Sequence, residues 1–261
     1  MITINSYVKP ESLEEAYELN QKRANRILGG MMWMRLGSGR VQTAIDLSGM
    51  GLDQIEESEE EFKIGCMCTL RQLELHKGIN QYTDGAVREC VRHIVGVQFR
   101  NQATVGGSIF GRFGFSDILT CLLALDTYVE LYHAGVIALS EFVEMPRDND
   151  ILVRIIIKKD GRKIAYRSHR EAATDFPVIA CAVANKDDQW YVSVGARSGK
   201  AKLQVRQAQI ENAEIFTKEV IAGYTFSSNM RGSEVYRRHL AEVYTKRAVE
   251  EILAKNSEKG A

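Results

Sequence analysis

Apolar and polar residues alternate over 2–8, ITINSYV, which predicts a short strand. After Pro10, the stretch ESLEEAYELNQKRAN brings Leu13, Ala16, Tyr17 and Leu19 round at helical spacing. Ser12 supplies the capping hydroxyl of that helix, and Glu15 the acid three residues on, the signature of a capping box. RILGG reads as a buried strand running into a tight turn, and VQTAIDLSGM as another strand, broken by Gly49 and Gly51. EEFKIGCMCTLRQLEL is a strand turning into a helix, with Thr69 as its cap. In TDGAVRECVRHIV, the residues Val87, Cys90, Val91 and Ile94 form one helical stripe. SDILTCLLALDTYVELYH predicts a helix from about Asp117 and then a strand over Tyr128–Tyr132.

Beyond Pro146 the pattern becomes β-rich. ILVRIIIKK, RKIAYRSH, FPVIACAVA and WYVSVGARS are separated by turn signals such as KKDGRK and NKDDQ, which predicts an antiparallel meander. NAEIFTKEVIAGY and SEVYRRHLAEVYTKRAVEEILAK close the chain as helices, and NSEKGA should fray. There is no internal repeat. These patterns predict an α+β chain with two small α/β lobes followed by a sheet and helices.

Composition narrows the function without naming it. With 261 residues, 45% of them hydrophobic and 26% charged, the chain has the balance of a globular protein with room for two domains. Lys plus Arg equals Asp plus Glu at 34 each, so no global field favours nucleic acid or an anionic membrane. The start lacks a basic stretch followed by an apolar one, and no run has the apolar length of a bilayer span. A cytoplasmic location is therefore expected. Five scattered cysteines predict buried reduced thiols. Cys66 and Cys68 can point the same way, yet no second pair or nearby His completes a tetrahedral metal site. The five histidines lie too far apart for metal-ligand spacing.

The candidate chemistry sits at two glycine pairs. RILGGMMW and QATVGGSIF each carry an expected strand into Gly-Gly, where unshielded N–H groups can form an anion-binding nest. Two such nests can cradle the two phosphates of one pyrophosphate. Thr104 and Ser108 add hydroxyls, and Asp117 can accept from a ribose. The same residues also read as two ordinary turns. Neither pair matches G-x-G-x-x-G or G-K-[ST], so a Rossmann or P-loop site is not expected.

RNQATVGGSI, residues 100–109, resembles the signature R-N-x-A-T-[VI]-G-G-N-[IL] of the flavin-binding subunit of molybdenum hydroxylases, with Ser108 in place of Asn. PESLEEAYEL, ILGGMMWM, AIDLSGMGLDQI, FKIGCMCTLRQLE, DILTCLLALDTYVEL, FPVIACAVA, VSVGARSGKAKL and RGSEVYRRHLAEVYTKRAVEEI are similar to that family in the same order. The resemblance implies an α+β fold: a two-lobed, vanillyl-alcohol-oxidase/PCMH-type FAD-binding domain over 1–160, with lobes of about 1–52 and 53–160. A C-terminal domain over 161–261, an antiparallel sheet with helices, would follow. It also implies that Ile27, Leu28, Gly29, Gly30, Met31, Met32 and Trp33, with Thr104, Val105, Gly106, Gly107 and Ser108, enclose the pyrophosphate of FAD. Asp117 would bind ribose, and Ile151 or Leu152 would pack near the flavin or adenine. Arg167 falls where many relatives place a lysine near the flavin ring. On this resemblance the chain would take electrons from an iron–sulfur subunit and pass them through non-covalent FAD, most readily to NAD⁺. A molybdopterin-containing subunit would hydroxylate the substrate, a purine or other N-heterocycle. No catalytic side chain is required of this chain.

Departures from the family pattern open an alternative. Met31 and Met32 stand where relatives carry Thr or Ser and an acid, and a lost hydrogen bond to a charged group costs about 1.5–3 kcal/mol. Phe113-Gly114-Phe115-Ser116-Asp117 replaces S-P-x-x-D, and the two phenylalanines either shield the cofactor or pack. VELYHAGVIALSEF is shorter than its counterpart. A scaffold subunit with weak or lost flavin binding is the alternative these changes raise. If the cradle is correct, Gly106→Val should block the phosphate and leave the fold intact.

Overall fold

Three sheets organise the chain. The computed structural model describes residues 1–259. The first sheet is parallel, with Arg40–Asp46 between Thr3–Val8 and Arg26–Leu28. Its central strand buries both Ala44 and Ile45, as a parallel strand covered on two faces must. Helix Leu13–Asn20 makes the first crossover. Ser12 accepts from the Glu15 N–H at 3.1 Å, while Glu15 accepts from the N–H of Glu11 at 2.9 Å, one residue earlier than a standard capping box.

The second sheet has five antiparallel strands in the order Ile55–Glu57, Glu61–Gly65, Leu152–Lys158, Thr127–Leu131, Gly135–Ala138. Ile155 at its centre faces Ile64 on one side and Val129 on the other. The sequence places 152–158 at the head of the later meander. Instead it closes this sheet, because alternation identifies a strand and says nothing of its partner. Between its second and fourth strands lie short helices, including Leu70–Leu75, Ala86–Arg92, Val105–Phe110 and Asp117–Ala124. Thr69 caps the first of these in a complete capping box with Gln72.

The third sheet runs Lys202–Gln207, Gln189–Gly195, Ile179–Lys186, Lys163–His169, all antiparallel. Strand 179–186 shows why it is nearly all apolar. Ala180, Ala182 and Ala184 face the core shared with helices 86–92 and 117–124. Ile179, Cys181 and Val183 face a second core under helices Ala213–Ala222 and Glu234–Lys259. Both faces are dry, so polar alternation is absent. The last helix runs to Lys259, into the stretch 256–261 expected to fray, whose final two residues lie outside the described residues. All five cysteines are buried free thiols. Among the described residues, no helix is long and apolar enough to cross a membrane.

Candidate functional site

Strand Arg26–Leu28 ends at Gly29, and the turn that follows is pressed against another segment. A Cβ on Gly30 would stand 1.8 Å from the Gln102 carbonyl oxygen, and one on Gly29 would stand 2.7 Å from Thr104 Oγ1. Only glycine permits that approach. Met31 then takes φ of +57°, the left-handed region that a non-glycine residue seldom enters. Met32 turns into the core and Trp33 stays exposed. Among the described residues, the backbone N–H groups of 29–33 donate to no protein acceptor. A run of free donors around a left-handed residue suits an anion.

The second glycine pair departs from its expected form. No strand leads into it; Val105–Phe110 is a helix, and Thr104 is its extended N-cap, accepting from the Gly107 N–H at 3.2 Å. The Val105 N–H donates to Cys68 O at 2.8 Å and that of Gly106 to Cys66 O at 2.9 Å. Ser108 spends both its N–H and its hydroxyl on Thr104 O, at 3.2 and 2.9 Å. A helix start must satisfy its first donors, and this one does so inside the protein. The pair of matching nests is therefore corrected to one open turn facing one capped helix. A Cβ on Gly106 would lie 2.6 Å from Cys66 O, so a branched side chain there strikes a backbone before it reaches any ligand. Gly107 is different: it is exposed, and its missing Cβ would meet only Thr104 Oγ1, at 3.1 Å.

Arg100, which opens the RNQATVGG run, is buried and anchors this region. Its Nε donates to Glu74 at 2.8 Å and its Nη1 to Ile94 O at 3.1 Å. Burial alone would raise the Glu74 carboxyl, but Arg100 and Arg71 outweigh it and hold the group below its ordinary value.

Two cavities meet at the open turn. The larger, about 700 Å³, is lined by Gly29 to Trp33, Thr104, Gly107, Ser108 and Asp117. The smaller, about 450 Å³, takes in Leu28, Cys66, Gly106, Ile151 and Leu152. Ile27, Gly29, Thr104 and Gly107 line both, as do Arg26 and Arg147. Val105 is fully buried behind this waist. Arg167 lines neither cavity and pairs with Glu251 of the last helix.

Arg170 also lines the larger cavity, and its Nη2 lies 2.6 Å from Asp117 Oδ2. Tyr166 donates to the other Asp117 oxygen. Burial pushes the Asp117 carboxyl above its ordinary range, and the Arg170 charge with both hydrogen bonds draws it back only in part. Each oxygen keeps lone-pair capacity for a further donor.

Part of this cavity's lining is aromatic. Trp33 stacks on Phe176 at 5.4 Å and 22°; Phe115 lies 4.4 Å from Phe176, and Phe113 stacks on Phe115 at 5.2 Å. Phe113 and Phe115 thus pack and line the cavity at once. Arg231 covers Phe176 and pairs with Asp175 at 3.3 Å. Sequence reasoning missed Arg26, Arg147, Arg170 and Phe176. The last two fall in a polar loop between strands, where no local period marks them. Cys66 and Cys68 carry no reactive thiolate, since burial raises them to about 12 and about 11.

Residues 2–159 match a family described as the FAD binding domain in molybdopterin dehydrogenase. YgfM of Escherichia coli K12 is 27% identical over 247 residues, covering 92% of this chain and 93% of that protein. The glyceraldehyde dehydrogenase medium chain of Sulfolobus acidocaldarius is 24% identical over 275 residues, covering 95% and 98%. A chain of the reconstituted CO dehydrogenase from Oligotropha carboxidovorans superposes with a TM-score of 0.82 at 22% identity, covering 97% of this chain and 98% of that one, which shows a shared fold.

Proposed function

The chain belongs to the family of FAD-binding domains in molybdopterin dehydrogenase, and we infer that it works as the electron-transfer subunit of a molybdenum hydroxylase complex. FAD is its cofactor. The observation that carries the reading is the free N–H run of 29–33 at the waist between two cavities. An extended dinucleotide needs two rooms joined by a polar neck, and cavities of about 700 and 450 Å³ meeting at this turn fit one.

When bound, FAD supplies exchange of one or two electrons, which lets a one-electron iron–sulfur donor serve a two-electron acceptor. The chain's own residues bind and orient. The turn 27–33 holds the diphosphate by main-chain N–H groups, and Gly107 leaves the opposite wall bare. Thr104 is held in place by its cap bond. Asp117 takes a ribose hydroxyl, kept in position by Tyr166 and Arg170. Ile151 and Leu152 form an apolar wall for a ring. Arg167, engaged with Glu251, is left without a flavin role.

On this reading 1–160 is the two-lobed, PCMH-type domain and 161–261 the C-terminal domain, in a cytoplasmic assembly. The medium-chain naming of the archaeal relative supports further subunits. We place these as an iron–sulfur and a molybdopterin-containing subunit, with NAD⁺ as acceptor and a xanthine-like heterocycle as substrate.

A second reading, a scaffold with weak or lost flavin binding, draws on the Trp33–Phe176 stack in the lining of the larger cavity and on Met31 in the turn. The visible spectrum of the full chain after FAD reconstitution and desalting separates the two. Flavin absorbance that co-elutes with protein is expected; a colourless protein supports the scaffold.

A further inference from the structure

The waist between the cavities carries two guanidiniums with no direct carboxylate partner among the described residues. Arg26 opens the strand leading to the first glycine turn, and Arg147 lies in the stretch before strand Leu152–Lys158. Although far apart in sequence, both line both cavities. Each guanidinium is steadied by main-chain carbonyls: Arg26 Nη1 donates to Arg23 O and Asn25 O at 2.5 and 2.6 Å, and Arg147 Nη2 to Gly111 O at 2.6 Å. A carbonyl orients a guanidinium and leaves its charge in place. Arg167 and Arg170 each pair with a carboxylate, whereas Arg26 and Arg147 form no salt bridge among the described residues. Asp148 and Asp150 line the smaller cavity beside them and turn to main-chain N–H groups. Asp150 accepts the N–H groups of His133, Ala134 and Ile151, and Asp148 accepts that of Asp150.

The geometry points to Arg26 and Arg147 as a charge clamp on the diphosphate of the bound dinucleotide, which rests on the flavin reading above. The N–H groups of the turn are neutral donors, and drawing a dianion out of water needs opposite charge as well. Guanidinium forks match phosphate oxygens two at a time, and their main-chain tethers lower the ordering cost of closing on the ligand. The clamp recognises the diphosphate and not the ring, so ADP is a ligand of the same neck.

The test measures FAD and ADP affinity of the full chain, by flavin fluorescence and calorimetry, across a salt series. R26Q and R147Q should each weaken both ligands about ten-fold or more, and the double variant further. Both should also flatten the dependence on salt. R147K should recover part of the loss, keeping the charge without the fork. Melting temperatures near the parent's exclude misfolding, since both side chains are exposed. Variants that match the parent in affinity and salt dependence overturn the clamp and leave the flavin reading standing. A loss for FAD with none for ADP also overturns it. A parent chain that binds neither ligand overturns both.

Discussion

At Gly29–Gly30 the chain leaves a strand and its following N–H groups stay free; at Gly106–Gly107 it enters a helix, and the carbonyls of Cys66 and Cys68 with the Thr104 hydroxyl take the donors. What each missing Cβ would face also differs. Gly30 and Gly106 lie against other backbone, at 1.8 and 2.6 Å, while Gly107 faces the open neck. The comparison teaches that a Gly-Gly pair signals a required absence of side chain, and only its surroundings say for what. One pair supplies donors, and the other supplies a bare wall and a rigid joint.

The strongest way to break the contrast is Gly106→Val. Because the new side chain meets Cys66 O, the variant should lose about 3 kcal/mol or more and shed fold and flavin together in a thermal melt followed by absorbance. A soluble variant with the parent's melting temperature and no flavin would restore the symmetrical cradle. Next in size is the ion pair beneath the second segment. Glu74→Ala leaves Arg100 buried without its partner and should cost about 3–5 kcal/mol in urea unfolding.

Acid reads the same pair. The Glu74 carboxyl lies below its ordinary 4.5 when folded, so its contribution is full above that value and is lost as pH falls through the lowered folded one. Glu74→Gln should therefore lose less of its melting temperature than the parent on acidification below about pH 4.5.

Thr104→Ala removes the cap of helix 105–110 and should cost about 1 kcal/mol. The smallest stability effect belongs to Gly107→Ala. Its Cβ meets only Thr104 Oγ1, and the helical position favours alanine, so the melt should change by no more than about 1 kcal/mol. FAD affinity should nevertheless fall, because the added methyl fills the neck. Unchanged affinity would move the diphosphate away from this wall.

Much of the fold was legible in local signals. Ser12, Thr69 and Asp117 mark helix starts within a residue of where they occur, and of the expected stripe Val87, Cys90 and Val91 are buried, while Ile94 lies past the helix end at Arg92 and is half-buried. Two expectations failed for one reason. Local pattern groups strand 152–158 with the later meander, whereas it closes the second sheet, and predicts a strand at QATVGG where the chain enters a helix. Each outcome depends on a distant partner: Ile64 and Val129 for the strand, the Cys66 and Cys68 carbonyls for the helix start. Arg167 illustrates the same limit, since its place along the chain says nothing of Glu251 on the last helix, with which it pairs.

The sequence by itself determined most of the elements and the family signature, because side-chain period, capping and glycine spacing are properties of neighbours along a chain. The tertiary structure alone decided which amides remain free, that Arg170 rather than Arg167 reaches Asp117, and that Arg26 and Arg147 converge on one neck. Those facts depend on contacts between segments many residues apart. Hydrogen-bond satisfaction is settled by whichever acceptor folding brings within about 3 Å, and local order carries no record of it.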